Sequence, residues 1–228
     1  LRFYLMLSPL MKAEDLSFNE ESVKEVYRRV IILTENIKQF YELYGKENTM
    51  VTDTSSEYIL DRWILSRTHT IIKQISAAME EYDTVATCNQ LIGFIDEIST
   101  WYIRRSRDRF KFADAKEKQK AIRTLAYVLH TLAKLMAPLT PFIAEEIHQV
   151  LRTANKKLPE SIHLEAWPTV DTRIIQNNMN EEMQMVRDIV SKSLEARDKA
   201  KIPLRQILKG LEVEGAAVPK EYWPLIIE

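Results

Sequence analysis

The residues best placed to do chemistry sit in one short run, Trp101-Tyr102-Ile103-Arg104-Arg105-Ser106-Arg107-Asp108-Arg109-Phe110-Lys111. It holds five cations within the eight residues from Arg104 to Lys111, with aromatics around them. Cations near a helix C-terminus are favoured by the backbone dipole, but that accounts for only one or two of them. The others repel one another unless carboxylates or phosphates compensate. With Ile98 as the inward reference of a helix, Arg105 and Arg109 return near the core side with Tyr102, while Arg104, Arg107 and Lys111 face solvent. A structural role is expected for Arg105 and Arg109, by snorkelling or by pairing with a carboxylate from another helix. The outward trio has the chemistry of phosphate contacts. Trp101 either stacks on an exposed nucleotide base or finishes the hydrophobic seam. A second basic stretch comprises Arg187, Lys192, Arg197, Lys199, Lys201, Arg205 and Lys209, and turns plainly positive after Asp198. Lys199, Lys201 and Arg205 are its candidates for extending a nucleic-acid footprint; the alternative is a solvated face opposed by acids of the same helix.

Catalytic patterns are missing. Four glycines, none suitably spaced, cannot build a phosphate-cradling loop. His69, His130, His148 and His163 are scattered, and His130 and His148 fall on different expected helices without a ligand-spaced acidic partner on the same turn. No metal site is expected from them. The adjacent pairs Glu145-Glu146 and Glu181-Glu182 diverge by about 100 degrees on a helix and cannot converge on one substrate. Cys88 falls on an apolar stripe, where burial rather than nucleophilic reactivity is expected. The chain by itself is expected to carry no catalytic residue and no cofactor.

The elements that position these residues read as helices. Asn19 precedes a helical pattern over about 20–44 with Val23, Val26, Val30, Ile37 and Tyr41 on one face, and Gly45 ends it before a polar linker over 46–56. A second helix over about 57–82 presents Leu60, Trp63, Ile64, Ile71 and Ile75. Asp83-Thr84 caps a third, running to about 111, whose stripe is Cys88, Leu91, Ile92, Ile95, Ile98 and Tyr102. Gly93 inside it suggests a close helix crossing. A fourth helix covers about 114–136 and is stopped by Pro138, and Thr140-Pro141 starts a fifth to about 151. Ser161-Ile162-His163-Leu164 alternates and reads as a short strand, a sixth helix spans about 172–199, 204–213 reads as a strand or extended segment, and Val218-Pro219 starts a small helix. The expected fold is therefore mainly α, an antiparallel helical bundle followed by a small α+β C-terminal extension.

The 228 residues suffice for one substantial core, and a net charge of -1 requires any nucleic-acid contact to be a local cluster. A single cysteine excludes an internal disulfide and suits a reducing, cytoplasmic setting. No stretch has the length and apolarity of a membrane span, and no membrane partner is expected. The opening lacks an initiator Met and the chain stops in an apolar run, so both ends read as points inside a longer polypeptide.

Asp61-Arg62-Trp63-Ile64-Leu65-Ser66-Arg67, then Phe94-Ile95-Asp96-Glu97 leading into the basic run, resemble class I isoleucyl-tRNA synthetases after their catalytic domain. So do Met136-Ala137-Pro138-Leu139-Thr140-Pro141-Phe142-Ile143-Ala144-Glu145-Glu146, and Ser161-Ile162-His163-Leu164 followed by Trp167-Pro168. The Thr-Pro-Phe start and Trp-Pro end also resemble the valyl and leucyl relatives, while the basic run and Ile202-Pro203-Leu204-Arg205-Gln206 lean to the isoleucyl family. Ile207 stands where that pattern has proline, so the local turn is expected to differ. Leu1-Arg2-Phe3-Tyr4-Leu5 resembles the stretch just after the catalytic signature loop; the lysine loop, the His-containing ATP motif and the editing domain have no counterpart. The resemblance implies residues 1–16 as a remnant of the junction with the catalytic domain, 17–156 as an anticodon-binding helix bundle and 157–228 as a truncated small extension. It implies tRNA(Ile) as partner, packing against a catalytic domain in the parent, and a parent that ligates isoleucine to tRNA with ATP and Mg. A valyl or leucyl counterpart, or a purely structural helical interaction domain, are the alternatives.

Overall fold

A computed structural model describes residues 1–45, 56–213, 215 and 218–227; most of the expected 46–56 linker lies outside the described residues. The chain divides into two compact units, Leu1–Ile175 and Gln176–Glu228.

The first unit is a helical bundle. After a short helix α1 (Arg2–Leu7) and a turn at Pro9–Lys12, one long helix runs from α2 (Glu20–Val26) through a π-helical stretch at Tyr27–Ile32 into α3 (Leu33–Tyr44). Asn19 starts it, its side chain accepting a hydrogen bond from Glu21 N–H at 2.8 Å. α4 (Ile59–Glu80) follows. α5 (Thr84–Asp96) is opened by Asp83, which accepts from Ala86 N–H at 2.8 Å, and continues through a second π-helical stretch, Glu97–Ile103, into α6 (Arg104–Phe112). α7 (Ala115–Met136) is capped by Asp114, and α8 (Pro141–Ala154) begins on proline, whose missing N–H costs nothing there.

α7 is the central element and packs against α3, α4, α6 and α8. It buries Ala121, Leu125, Val128, Leu129, Leu132, Leu135 and Met136, so it is apolar around most of its circumference, as a central helix must be. α4 contributes Leu60, Trp63, Ile64, Ile71, Ile72 and Ile75, and α5 contributes Cys88, Leu91, Phe94 and Ile95. α1 lies against α5: Phe3 and Tyr4 are buried, and the Thr84 hydroxyl donates to the Met6 carbonyl at 3.0 Å. Gly93 is exposed and a Cβ built there meets nothing within 4 Å, so no close helix crossing requires it.

The second unit holds α9 (Asn177–Lys199), which buries Met179, Met183, Val186 and Ile189, and α10 (Trp223–Ile227), packed on it after a turn at Lys220–Tyr222. Tyr222 is buried and its hydroxyl donates to Glu182 at 2.7 Å.

The expected α+β extension is not present: no β-strand occurs among the described residues. Alternating apolarity at 161–164 misled because a strand needs a partner edge, and none is available. Instead Ile162–Leu164 forms a 3-10 turn whose Ile162 is buried, pinned when the Ser161 hydroxyl and the Ile162 N–H donate to Glu145 at 2.7 and 3.1 Å. The 204–213 segment forms no ladder, and Leu204 and Ile207 are exposed. No described helix is long and apolar enough to cross a membrane.

Candidate nucleic-acid interface

The basic run occupies the last turns of the long helix made by α5, the π-helical stretch and α6. A π turn inserts an extra residue and re-aims the side chains that follow. Here it turns both Tyr102 and Ile103 inward, after which Ser106 and Phe110 continue the buried line at four-residue spacing. Phe110 meets Phe40 and Tyr44 of α3, with ring centroids 5.0 and 5.8 Å away. Arg105 and Arg109 flank this line and are half-buried, whereas Arg104, Arg107 and Lys111 are exposed. Arg104, Arg107 and Lys111 make no ion pair among the described residues.

Arg109 is held from three sides. Its guanidinium donates to Asp61 of α4 at 2.7 Å and to Glu117 of α7 at 3.1 Å, and lies over the Tyr58 ring, 4.3 Å from its centroid. Asp61 is fully buried and also accepts from the Tyr102 hydroxyl at 2.7 Å and the Ser56 hydroxyl at 2.5 Å. Burial and the Asp61 charge together push the Tyr102 phenol well above its ordinary range, so it stays a donor. Burial disfavours the Arg109 cation, but Asp61, Tyr102 and Glu117 together favour it and the net shift is upward. Earlier on the same helix Glu97 is buried and takes both bonds of the Arg67 fork, at 3.0 and 3.2 Å. The helix end is therefore tied to α4 and α7 by charge-assisted bonds, and its exposed cations sit on a stiff base.

Arg105 lies over the Trp101 ring at 4.4 Å from its centroid. Trp101 is half-buried, so its ring joins the seam and the surface at once. The second basic stretch lies in the other unit. There Lys199 pairs with Glu195 at 2.6 Å, while Lys201 and Arg205 are exposed. Arg197 is used locally, donating to the carbonyls of Pro203, Leu204 and Gln206 at 2.5, 3.1 and 2.7 Å.

Asp61 and Glu97 escape a reading of the run alone because their partners are 48 and 30 residues away in sequence. The available signal was an acid at an inward position of an otherwise apolar stripe, which demands a buried cation.

A family model described as the anticodon-binding domain of tRNA ligase matches residues 61–212. The chain belongs to this family. The chain is 37% identical over 226 residues to the isoleucine–tRNA ligase of Chlamydia trachomatis serovar D, covering 97% of the chain and 22% of that protein. The isoleucine–tRNA ligase of Clostridium novyi is 34% identical over 232 residues, 99% of the chain and 22% of the relative. The chain thus spans about a fifth of the length of these relatives. Among solved structures, the agnB2 LeuRS of Agrobacterium radiobacter K84, in a ternary complex with tRNA and LeuAMS, matches 77% of the chain and 20% of its own with a TM-score of 0.52 and 18% identity, a likeness of fold. This anticodon-binding domain resembles the anticodon-binding region of isoleucyl-tRNA synthetases.

Proposed function

We propose that this chain binds the anticodon stem and loop of an isoleucine tRNA as part of a cytoplasmic isoleucine–tRNA ligase. Membership of the anticodon-binding family supports the ligand class, and the similarity to isoleucine–tRNA ligases supports the choice of tRNA. Arg104, Arg107 and Lys111 are the phosphate-contacting residues, because they are exposed cations on a helix end braced by the Arg109–Asp61 and Arg67–Glu97 pairs. Trp101, with Arg105 stacked on it, is a platform for an unpaired base. Lys199, Lys201 and Arg205 add phosphate contacts from the second unit. Residues 17–156 act as the anticodon-binding bundle, with 1–16 leading from the catalytic domain and 157–228 following the bundle in sequence. In the whole ligase this region packs against that catalytic domain, where isoleucine is activated with ATP and Mg and passed to the distant acceptor end.

The observation that carries the reading is the exposed cation trio on a braced helix end. Its ligand is tested by measuring binding of the chain to folded isoleucine, valine and methionine tRNAs under one buffer condition. Tighter binding to isoleucine tRNA supports the assignment; equal affinity for all of them overturns it.

A further inference from the structure

His130 on α7, His148 on α8 and Glu165, just after the Ile162–Leu164 turn, converge although they are far apart in sequence. Each offers one potential ligand atom, and these atoms lie within 4.8 Å of one another. His130 Nε2 is 2.8 Å from Glu165 Oε1, and His148 Nδ1 is 3.7 Å from the same oxygen. His148 is fully buried and its Nε2 lies 2.9 Å from the Pro159 carbonyl, an acceptor only. A neutral ring with that contact carries its proton on Nε2, which leaves Nδ1 as the nitrogen with a lone pair, 3.7 Å from Glu165 Oε1. Nδ1 is buried without a hydrogen-bond partner. A lone pair in this position carries a desolvation cost that a cation would relieve.

We propose that His130, His148 and Glu165 form a binding site for a borderline divalent cation of the zinc class, a clip that fastens the 159–165 segment to α7 and α8. Two imidazoles and one carboxylate are the donor set such ions take, with water completing a tetrahedron, and they disfavour the harder magnesium and calcium. A tetrahedron with metal–ligand bonds of about 2.0–2.1 Å needs its ligand atoms about 3.3 Å apart, so shifts of roughly an ångström suffice. The Pro159 carbonyl supplies the outer hydrogen bond that fixes a ligating imidazole. Without the ion His130 Nε2 donates to Glu165 Oε1 at 2.8 Å, so binding replaces that hydrogen bond and moves the neutral ring's proton to Nδ1. The side chains of His130 and Glu165 keep 12% and 10% exposure, which leaves a path of entry. Lys134 Nζ lies 3.0 Å from Glu165 Oε2 and competes with the ion for that carboxylate.

The test is titration of the 228-residue chain with Zn2+ by calorimetry and with Co2+ by visible absorption, with fold checked by far-UV circular dichroism. One saturable site, a tetrahedral cobalt band and a rise in Tm are expected. H130Q and E165Q should each weaken binding at least about tenfold, whereas H163Q, at an exposed histidine, should not. K134M should tighten binding at least about threefold by removing the competing charge, and this readout survives should H130Q or E165Q unfold. A merely structural histidine–glutamate–lysine network would instead be loosened by K134M. No saturable binding by the unaltered chain, binding undiminished in folded H130Q and E165Q, or weaker binding by K134M would each overturn the proposal.

Discussion

Replacing Arg109 with Met leaves Asp61 as a buried anion whose remaining partners among the described residues are the hydroxyls of Tyr102 and Ser56. Asp61 is 0% exposed and the Arg109 side chain 9% exposed, so solvent does little to screen their pair. Removing one partner of such a pair costs about 3–5 kcal/mol, because the remaining charge loses its compensation while staying out of water. For a protein of this size that corresponds to a Tm lower by roughly 6–20 °C. The urea midpoint followed at 222 nm should fall at unchanged slope. Asp61→Asn in the Arg109→Met background should lose much less than the sum of the two changes, with a coupling of about 2 kcal/mol or more. A cost for Arg109→Met below about 1 kcal/mol, or strict additivity, would refute the idea that this pair braces the helix end.

Further outcomes follow from the same structure. Burial pushes the Cys88 thiol up to about 12, so a disulfide reagent at pH 8 should label it only after denaturation; rapid labelling of the folded chain would contradict that. Burial lowers the pKa of His69, whose Nε2 lies 2.8 Å from the Tyr127 hydroxyl and whose Nδ1 accepts from the Asp171 N–H at 3.1 Å. The folded state therefore binds this proton less readily than the unfolded chain does. The contribution is fully present above about pH 6.5 and is lost as pH falls through the depressed folded value. Urea titrations between pH 8 and pH 5 should show this acid loss flattened in His69→Gln, and an unchanged profile would count against it. Gly93→Ala should raise stability by about 1 kcal/mol, since the position is exposed, helical and open to a Cβ; a lower Tm would show an unrecognised clash.

What could be read from the chain beforehand was the helical framework. Leu60, Ile64, Ile71 and Ile75 recur at helical spacing, and Asn19, Asp83 and Pro141 announce helix starts by local chemistry that needs no tertiary context. The alternating 161–164 segment misled, because alternation shows only that side chains take opposite faces and says nothing of a partner edge. The π turn at Glu97–Ile103 is invisible to a fixed period of 3.6 residues, and it is what puts Ser106 and Phe110 on the buried line of α6. The convergence of His130, His148 and Glu165 depends on how α7, α8 and the following turn pack, and sequence spacing carries no record of that. The outward positions of Arg104, Arg107 and Lys111 were easier, since charge alone excludes them from the core unless a buried acid is present, as it is for Arg109.

The claim that α6 offers its exposed cations to tRNA phosphates is tested most directly by the salt dependence of binding. Affinity of the chain for folded isoleucine tRNA should be measured across a salt series, with the unaltered chain beside R104Q/R107Q/K111Q. Each phosphate contact contributes about 0.7–0.9 to the slope of log K against log salt, so losing the trio should flatten it by about 2 to 3 units. An unchanged slope in a folded triple variant would contradict the account and move the interface elsewhere.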